Sequence, residues 1–407
     1  MALDKSVQSF DYPVIDTDAH IFDPPAIFTK FMAETDLKEL RALVPDVPES
    51  RASSIAGPVW GYRGKNRGMS YRMHMDWADS GLANVVDCDY TFPGCDDGPA
   101  RLKCMDEEGI DSGIVRNTIF PHLGMFMVQD NNLVAKACSA YNDWVHDFCS
   151  ADPTRLFPEA ALPFGDVEAT IKEIERTAAM GFKSTCISGS TSAPAPLSDA
   201  RWDPIWARLQ ELGWPLCIHA GFTPAVDSSS KWLLDGKLET SSGGAYFNMN
   251  FTMNFVLDNM VTMGEVTLGG MCDKFPSLNI YFIESGHSWA GETLYRLDKV
   301  FDCPFEEYMP NGLPNAKTRP SEIFQRQMYV PYEGGDQWMT PIFNKMQDNL
   351  IWASDIPHWD ADGPWEGAGA LRALGVSPEI ERKIMGGNAA KLLNVPYEKK
   401  VRTAAAA

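Results

Sequence analysis

The chain has 407 residues, 44% hydrophobic and 11% aromatic, enough apolar material for one elaborated α/β barrel or for two to three smaller domains. A formal net charge of −20 excludes nucleic acid and anionic membranes as partners, because the outer field repels both. Nine cysteines without a C-x-x-C pair, and no run of the ~18 apolar residues a membrane span needs, describe a soluble cytoplasmic chain with reduced thiols.

In chain order, the first buried-looking run, 14-VIDTD-18, passes into an alternation of Asp16, Asp18 and His20. Side chains two apart share one face of a strand, so Asp18 and His20 project together from its end. Residues 24–104 then break the rhythm. That interval is far too long for a strand–helix loop, and 57-GPVWGYRGKNRGMSYRMHMDW-77 is rich in glycine, arginine and aromatics. We read it as an insertion folding over the mouth of a barrel. In it Arg63 and Arg72, with Trp60 and Tyr62, are candidates to hold a carboxylate and a ring of a substrate. A solvated loop is the plainer alternative.

Seven further strand-like runs follow: 112-SGIVRNTIF-120, 156-LFPEAAL-162, 182-FKSTCIS-188, 215-PLCIHAG-221, 278-LNIYFIES-285, 327-QMYVPY-332 and 349-NLIWASD-355. Helical patterns lie between them. Leu133, Val134, Ala137, Tyr141, Trp144, Val145 and Phe148 recur at helical spacing. Asp166 is placed to cap 167–180 and Gly181 to stop it; Asp203 and Gly213 bracket the next helix. The Met-rich run 248-NMNFTMNFVLDNMVTMG-264 has helical spacing and reads as core. Continuously apolar strands alternating with helices argue a parallel sheet covered on both faces. Eight of them favour a distorted (β/α)8 TIM barrel over a doubly wound sheet, a single domain over residues 1–398 with 399–407 a tail.

Active sites of such barrels lie at the C-terminal strand ends. Those ends carry Asp18 and His20, then His219, then Glu284 and His287, then Asp355 and His358; four of the seven histidines gather there. Each has a plainer explanation alone: His219 as a satisfied core histidine, Glu284 paired with Arg296, Asp355 as a helix cap. Together, imidazoles and carboxylates form a ligand set for Zn2+, Mn2+ or Fe2+.

The segments D-x-D-x-H at Asp16 to His20, I-H-A-G around His219, E-S-G-H-x-W at Glu284 to Trp289, R-L-D at Arg296 to Asp298 and S-D-x-P-H at Ser354 to His358 resemble the amidohydrolase-related (amidohydrolase 2) family of the metal-dependent hydrolase superfamily. The connecting segments 152-DPTRLFPEAALPFGD-166 and 386-GGNAAKLL-393 are similar as well. The likeness spans nearly the whole chain outside the insertion. It implies a metal-dependent lyase or hydrolase similar to aminocarboxymuconate-semialdehyde and γ-resorcylate-type decarboxylases, acting on a small carboxylated cyclic or aromatic-derived substrate. It implies Asp18, His20, His219 and Asp355 as metal ligands, and His287 with Asp355 as the catalytic pair. It also implies an oligomer, of identical chains or with a different subunit.

One departure matters. Zinc-binding relatives often carry H-x-H on the first strand, whereas this chain has D-x-H and resorcylate-type decarboxylases have E-x-H; a carboxylate hardens the site toward Mn2+ or Fe2+. Two other readings stay open. Glu284, His287 and His358 would complete a second metal position, as in a dinuclear iron or iron–manganese oxygenase, or would orient the ligands of a single ion. A non-catalytic partner subunit retaining metal for structure is the other, but none of Asp18, His20, His219, His287 and Asp355 is missing.

Overall fold

The computed structural model describes residues 10–21, 26–43, 58–61, 65–70, 94, 96–116, 130–190, 193–219, 243–303, 315–334, 343–356 and 361–400. Ten strands lie along them: β1 (Ile15–Asp16), β2 (Pro58–Gly61), β3 (Lys65–Ser70), β4 (Ser112–Val115), β5 (Leu156–Ala161), β6 (Ser184–Ser188), β7 (Leu216–His219), β8 (Ile280–Ile283), β9 (Met328–Tyr332) and β10 (Leu350–Trp352). β2 and β3 form a separate antiparallel pair. The other eight make one parallel sheet in the order β1-β4-β5-β6-β7-β8-β9-β10. The ring closes where Thr17 N donates to Trp352 O (3.2 Å) and His20 N donates to Ile356 O (2.6 Å). All eight predicted strands are present, and the fold is the (β/α)8 barrel.

The strands are buried on both faces, which is why their sequences are apolar without alternation. Ile15, Ile114, Phe157, Cys186, Cys217, Tyr281 and Ile351 form an inner cluster, joined by Leu392, Leu393 and Val395. Helix Asn388–Leu393 closes the N-terminal end of the barrel, its Asn388 Nδ2 donating to Leu350 O at the start of β10 (2.7 Å). On the outside, helix Asn131–Cys149 buries the whole predicted stripe from Leu133 to Phe148. The early part of the 24–104 interval packs on that helix, with Lys30 Nζ 2.8 Å from Asp147 Oδ2 and Lys136 Nζ 2.6 Å from Asp36 Oδ1. Lys399 and Lys400, at the start of the predicted tail, bind the Asp111 carboxylate.

Two local expectations change. Asp166 caps helix Val167–Ala179 through Ala169 N, as predicted, but Asp203 is the first residue of its helix, not the cap. Asp199 has already capped the short 3-10 turn Ala200–Trp202, so the chain enters the helix prewound and Asp203 turns to Lys274 instead. The Met-rich run lies within helix Gly243–Leu268, yet it is not wholly core: Met263 is buried, while Met253 and Val261 are about half exposed. The composition is apolar on every side, so it carries no signal of which face is covered. Among the described residues no helix is long and apolar enough to cross a membrane, and none of the seven described cysteines forms a disulfide.

Candidate metal centre

The site starts from the seam between β1 and β10. Asp16 ends β1 against Gly113 of β4, where a Cβ would lie 2.9 Å from Asp16 Cβ, so only glycine lets the strands pair here. Asp16 Oδ1 accepts from Asp18 N and from Ser354 N, each at 3.0 Å, and Oδ2 accepts from Ser354 Oγ at 2.5 Å. Burial pushes the Asp16 carboxyl up to about 6, against the pull of those hydrogen bonds. Asp16 is therefore a fastener. It leaves Asp18 and His20 to face the barrel mouth.

There they meet residues from the opposite wall. His20 Nε2 lies 3.1 Å from Asp18 Oδ1, 3.4 Å from Asp355 Oδ1 and 3.4 Å from His219 Nε2. His219, the last residue of β7, lies in turn 3.4 Å from Glu284 Oε2. Two overlapping triads result, Asp18–His20–His219 and His20–Glu284–Asp355, sharing His20. Glu284 and Asp355 sit just past β8 and β10 with φ of 62° and 58°, in the left-handed region that residues other than glycine, asparagine and aspartate rarely adopt. At both positions the left-handed backbone turns the side chain toward the neighbouring ligands, Glu284 to His219 and Asp355 to His20. Strain of this kind gathers at functional sites.

The donor set fits a divalent first-row cation. Ligand atoms bonded at about 2.1 Å to one ion lie about 3.0–3.4 Å from one another in octahedral or tetrahedral arrangement, and the separations here run from 3.1 to 3.4 Å. Asp18 is buried, and among the described residues neither of its oxygens accepts a hydrogen bond of good geometry, although Arg116 Nη1 and His20 Nε2 lie 3.2 and 3.1 Å from Oδ1. Mixed imidazole and carboxylate ligands suit Mn2+, Fe2+ or Zn2+.

Beneath this layer lies Arg116, at the end of β4 and buried. Its Nη1 is 3.2 Å from Asp18 Oδ1, and its Nε is 3.2 Å from Glu159 Oε2 on β5. Burial opposes the guanidinium charge, but Cys217, Glu159 and Asp18 outweigh it and hold the proton on. Burial likewise raises the Glu159 carboxyl, with Arg116 pulling the other way. Arg101 Nη2 donates to His20 O at 2.5 Å, fixing the backbone of that ligand from below.

Asp18, His20, His219, Asp355 and Glu284 thus come together. Glu284 does not pair with Arg296, which turns outward to Glu292 at 2.6 Å. His287 is buried at the start of helix Ser288–Phe301, its ring 5.9 Å from that of Tyr332, and neither triad includes it. Arg63, Arg72, Tyr62 and His358 lie outside the described residues; Trp60 falls on β2, where only the backbone is described. Sequence reasoning missed Glu159 and Arg101, and left open where Arg116 faces. The signal was there for two of them, since Arg116 and Glu159 are single charges in strands otherwise apolar or small.

Comparison with known proteins bears on the same framework. The chain is similar to an amidohydrolase from Mycobacterium avium subsp. paratuberculosis K-10, with TM-score 0.72 and 20% identity over 95% of this chain and all of that one. It is similar to the 5-carboxyvanillate decarboxylase of Novosphingobium aromaticivorans DSM 12444, solved with manganese and 4-hydroxy-3-methoxy-5-nitrobenzoic acid, at TM-score 0.65 and 20% identity over 97% and 100% of the two chains. In sequence it is 23% identical to a γ-resorcylate decarboxylase from Polaromonas sp. (strain JS666) over 312 residues, 72% of this chain and 86% of that one. The amidohydrolase family model matches residues 15–395, from β1 to the end of the helix that closes the barrel, and the chain belongs to that family.

Proposed function

We propose that the protein is a divalent-metal-dependent decarboxylase of a small aromatic carboxylate, with Asp18, His20, His219 and Asp355 as the ligands. The observation that carries this reading is the convergence of Asp18, Asp355 and His219 on one nitrogen, His20 Nε2, at 3.1 to 3.4 Å. The D-x-H of the first strand, hard like the E-x-H of resorcylate-type enzymes, favours manganese. The relatives named above, decarboxylases of dihydroxy- and hydroxymethoxybenzoates by their names, support the reaction class.

When bound, the metal supplies a Lewis acid for a substrate carboxylate and its neighbouring oxygen. The chain's own residues do the rest. Asp355 or His287 gives a proton to the ring carbon as its bond to the departing CO2 breaks. The left-handed turn at Asp355 fixes that carboxylate beside His20, so it needs no reorganisation to act. Trp60, Tyr62, Arg63 and Arg72, from the part of the 24–104 insertion that we place over the mouth of a single-domain barrel, are assigned to the substrate's ring and carboxylate. We take the protein to be cytoplasmic and oligomeric.

The test is elemental analysis of purified protein, followed by CO2 release from dihydroxybenzoates and 5-carboxyvanillate with and without chelator. One Mn2+, Fe2+ or Zn2+ per chain and chelator-sensitive CO2 release are expected. A metal-loaded protein that hydrolyses esters or lactones but releases no CO2 overturns the decarboxylase reading.

A second reading rests on the doubled triad. Glu284 and Asp355 complete a group with His20 that is separate from Asp18–His20–His219 except for the shared ring. Because His20 Nε2 can ligate only one ion, a dinuclear iron or iron–manganese oxygenase on these residues takes a carboxylate as the bridge between its metals. Two metals per chain and oxygen consumption would favour it; one metal per chain removes it.

A further inference from the structure

Arg116 is held by residues from four strands of the barrel. Nη2 donates to Thr17 O just past β1 (2.9 Å) and to Tyr281 OH on β8 (3.3 Å), and Nη1 donates to Cys217 Sγ on β7 (3.3 Å). Glu159 on β5 takes both Nε (3.2 Å) and Nη2 (3.4 Å), and is itself fixed by a hydrogen bond from Tyr281 OH. The remaining face of the guanidinium meets Asp18 Oδ1 at 3.2 Å, and that same oxygen lies 3.1 Å from His20 Nε2. One buried cation is shared between two buried carboxylates, and one of the two belongs to the candidate metal centre.

We propose that Glu159 is a positioning residue that sets the affinity of the centre for its metal, acting through Arg116. The inference rests on Asp18 being a ligand. In a low-dielectric interior a guanidinium with a single carboxylate partner pairs with it strongly, and that pairing competes directly with a divalent cation. Glu159 supplies the second partner. It draws Arg116 toward β5, so that Asp18 is oriented by a cation it does not wholly neutralise, and the ligand's charge stays available to the metal. Partners one shell out from a metal typically change affinity about 10- to 100-fold when lost.

The test compares Mn2+ affinity of the folded protein, by competition against a chromophoric chelator, for wild type, Asp18→Ala, Glu159→Gln and the double variant Arg116→Met/Glu159→Gln. Melting of the metal-free proteins is followed in parallel. Glu159→Gln keeps the side-chain volume, and it is expected to weaken Mn2+ binding about tenfold or more with little change in metal-free melting. The double variant, lacking the competing guanidinium, regains most of that affinity. A merely structural role would move melting without moving affinity. Wild-type affinity in Glu159→Gln overturns the proposal, as does a double variant that folds and still binds weakly. If Glu159→Gln does not fold, the double variant decides alone: affinity near wild type supports the proposal, and weak binding overturns it. If wild type fails to bind Mn2+, or Asp18→Ala binds as wild type does, the metal-centre reading itself has failed. If only Asp18→Ala loses binding, the failure belongs to Glu159 alone.

Discussion

His20 and His219 bring their Nε2 atoms to 3.4 Å with rings nearly perpendicular, at 84°. A ring nitrogen offers one proton or one lone pair, yet Asp18 and Asp355 approach the same His20 nitrogen as well. Three partners exceed what one Nε2 can satisfy by hydrogen bonding. A cation at their common centre satisfies all of them.

The first prediction follows from the shared ring. His20→Ala removes a ligand from both triads and should abolish metal uptake, lowering affinity by about 100-fold or more, beyond what the loss of a residue that only orients a ligand causes. His219→Ala leaves His20, Glu284 and Asp355 intact. In a mononuclear protein it is as damaging as His20→Ala; in a dinuclear one it retains one ion per chain. Metal-to-protein ratios after dialysis separate the two outcomes.

The left-handed residues give a prediction about stability. At ordinary positions alanine is more stable than glycine by about 0.5–1 kcal/mol. At Glu284, with φ of 62°, the order should reverse: Glu284→Gly is expected to be more stable than Glu284→Ala by about 1 kcal/mol, because only glycine adopts this backbone without strain. Asp355 should behave in the same way. Denaturant unfolding of the two pairs in metal-free protein makes the comparison, and alanine variants at least as stable as glycine ones would show that the turns carry no strain.

How far the sequence carried the argument depended on which signal was local. The eight strands were legible because burial on both faces makes each an uninterrupted apolar run, and Asp18, His20, His219 and Asp355 because each stands at the end of one. The left-handed backbone at Glu284 left no mark, since glutamate does not announce φ above zero, and an aspartate such as Asp355 adopts it too rarely to signal it alone. The partnership of Asp16 with Ser354 spans 338 positions and exists only because the barrel closes. Arg116 was visible as a charge in an apolar strand, but its partners come from four separate strands, and spacing along one chain cannot reveal them.

That closure predicts the effect of Ser354→Ala. The Ser354 hydroxyl donates to Asp16 Oδ2 and accepts from Ile356 N (3.1 Å), so its loss leaves a buried carboxylate oxygen and a buried amide without partners. Destabilisation of about 1–3 kcal/mol is expected. Because Asp355 follows directly, metal affinity should fall as well. Unfolding and metal titration on the same preparation check both, and an unchanged affinity would mean that Asp355 is held by its own backbone alone.

Far from the site, Glu381 gives the pH dependence its sign. It accepts from Arg372 Nε (2.9 Å) and Nη2 (2.7 Å) and from Tyr12 OH (2.5 Å). Burial works to raise its pKa, but the hydrogen bonds from Arg372 and Tyr12 outweigh it and hold the carboxyl below its ordinary 4.5. A carboxyl lowered in the folded state stabilises fully above its unfolded pKa, and that stability is lost as pH falls through the lower folded value. Glu381→Gln should therefore be less stable than wild type at pH 7, by about 1–2 kcal/mol for charge-assisted hydrogen bonds at a half-exposed arginine. As pH falls below 4.5 the gap should close, since the wild-type carboxyl gains its proton there and becomes the neutral group the variant already has. Melting temperatures of the two proteins across pH 3 to 7 test this, and a gap that stays constant through that range would place the Glu381 contribution in packing instead of charge.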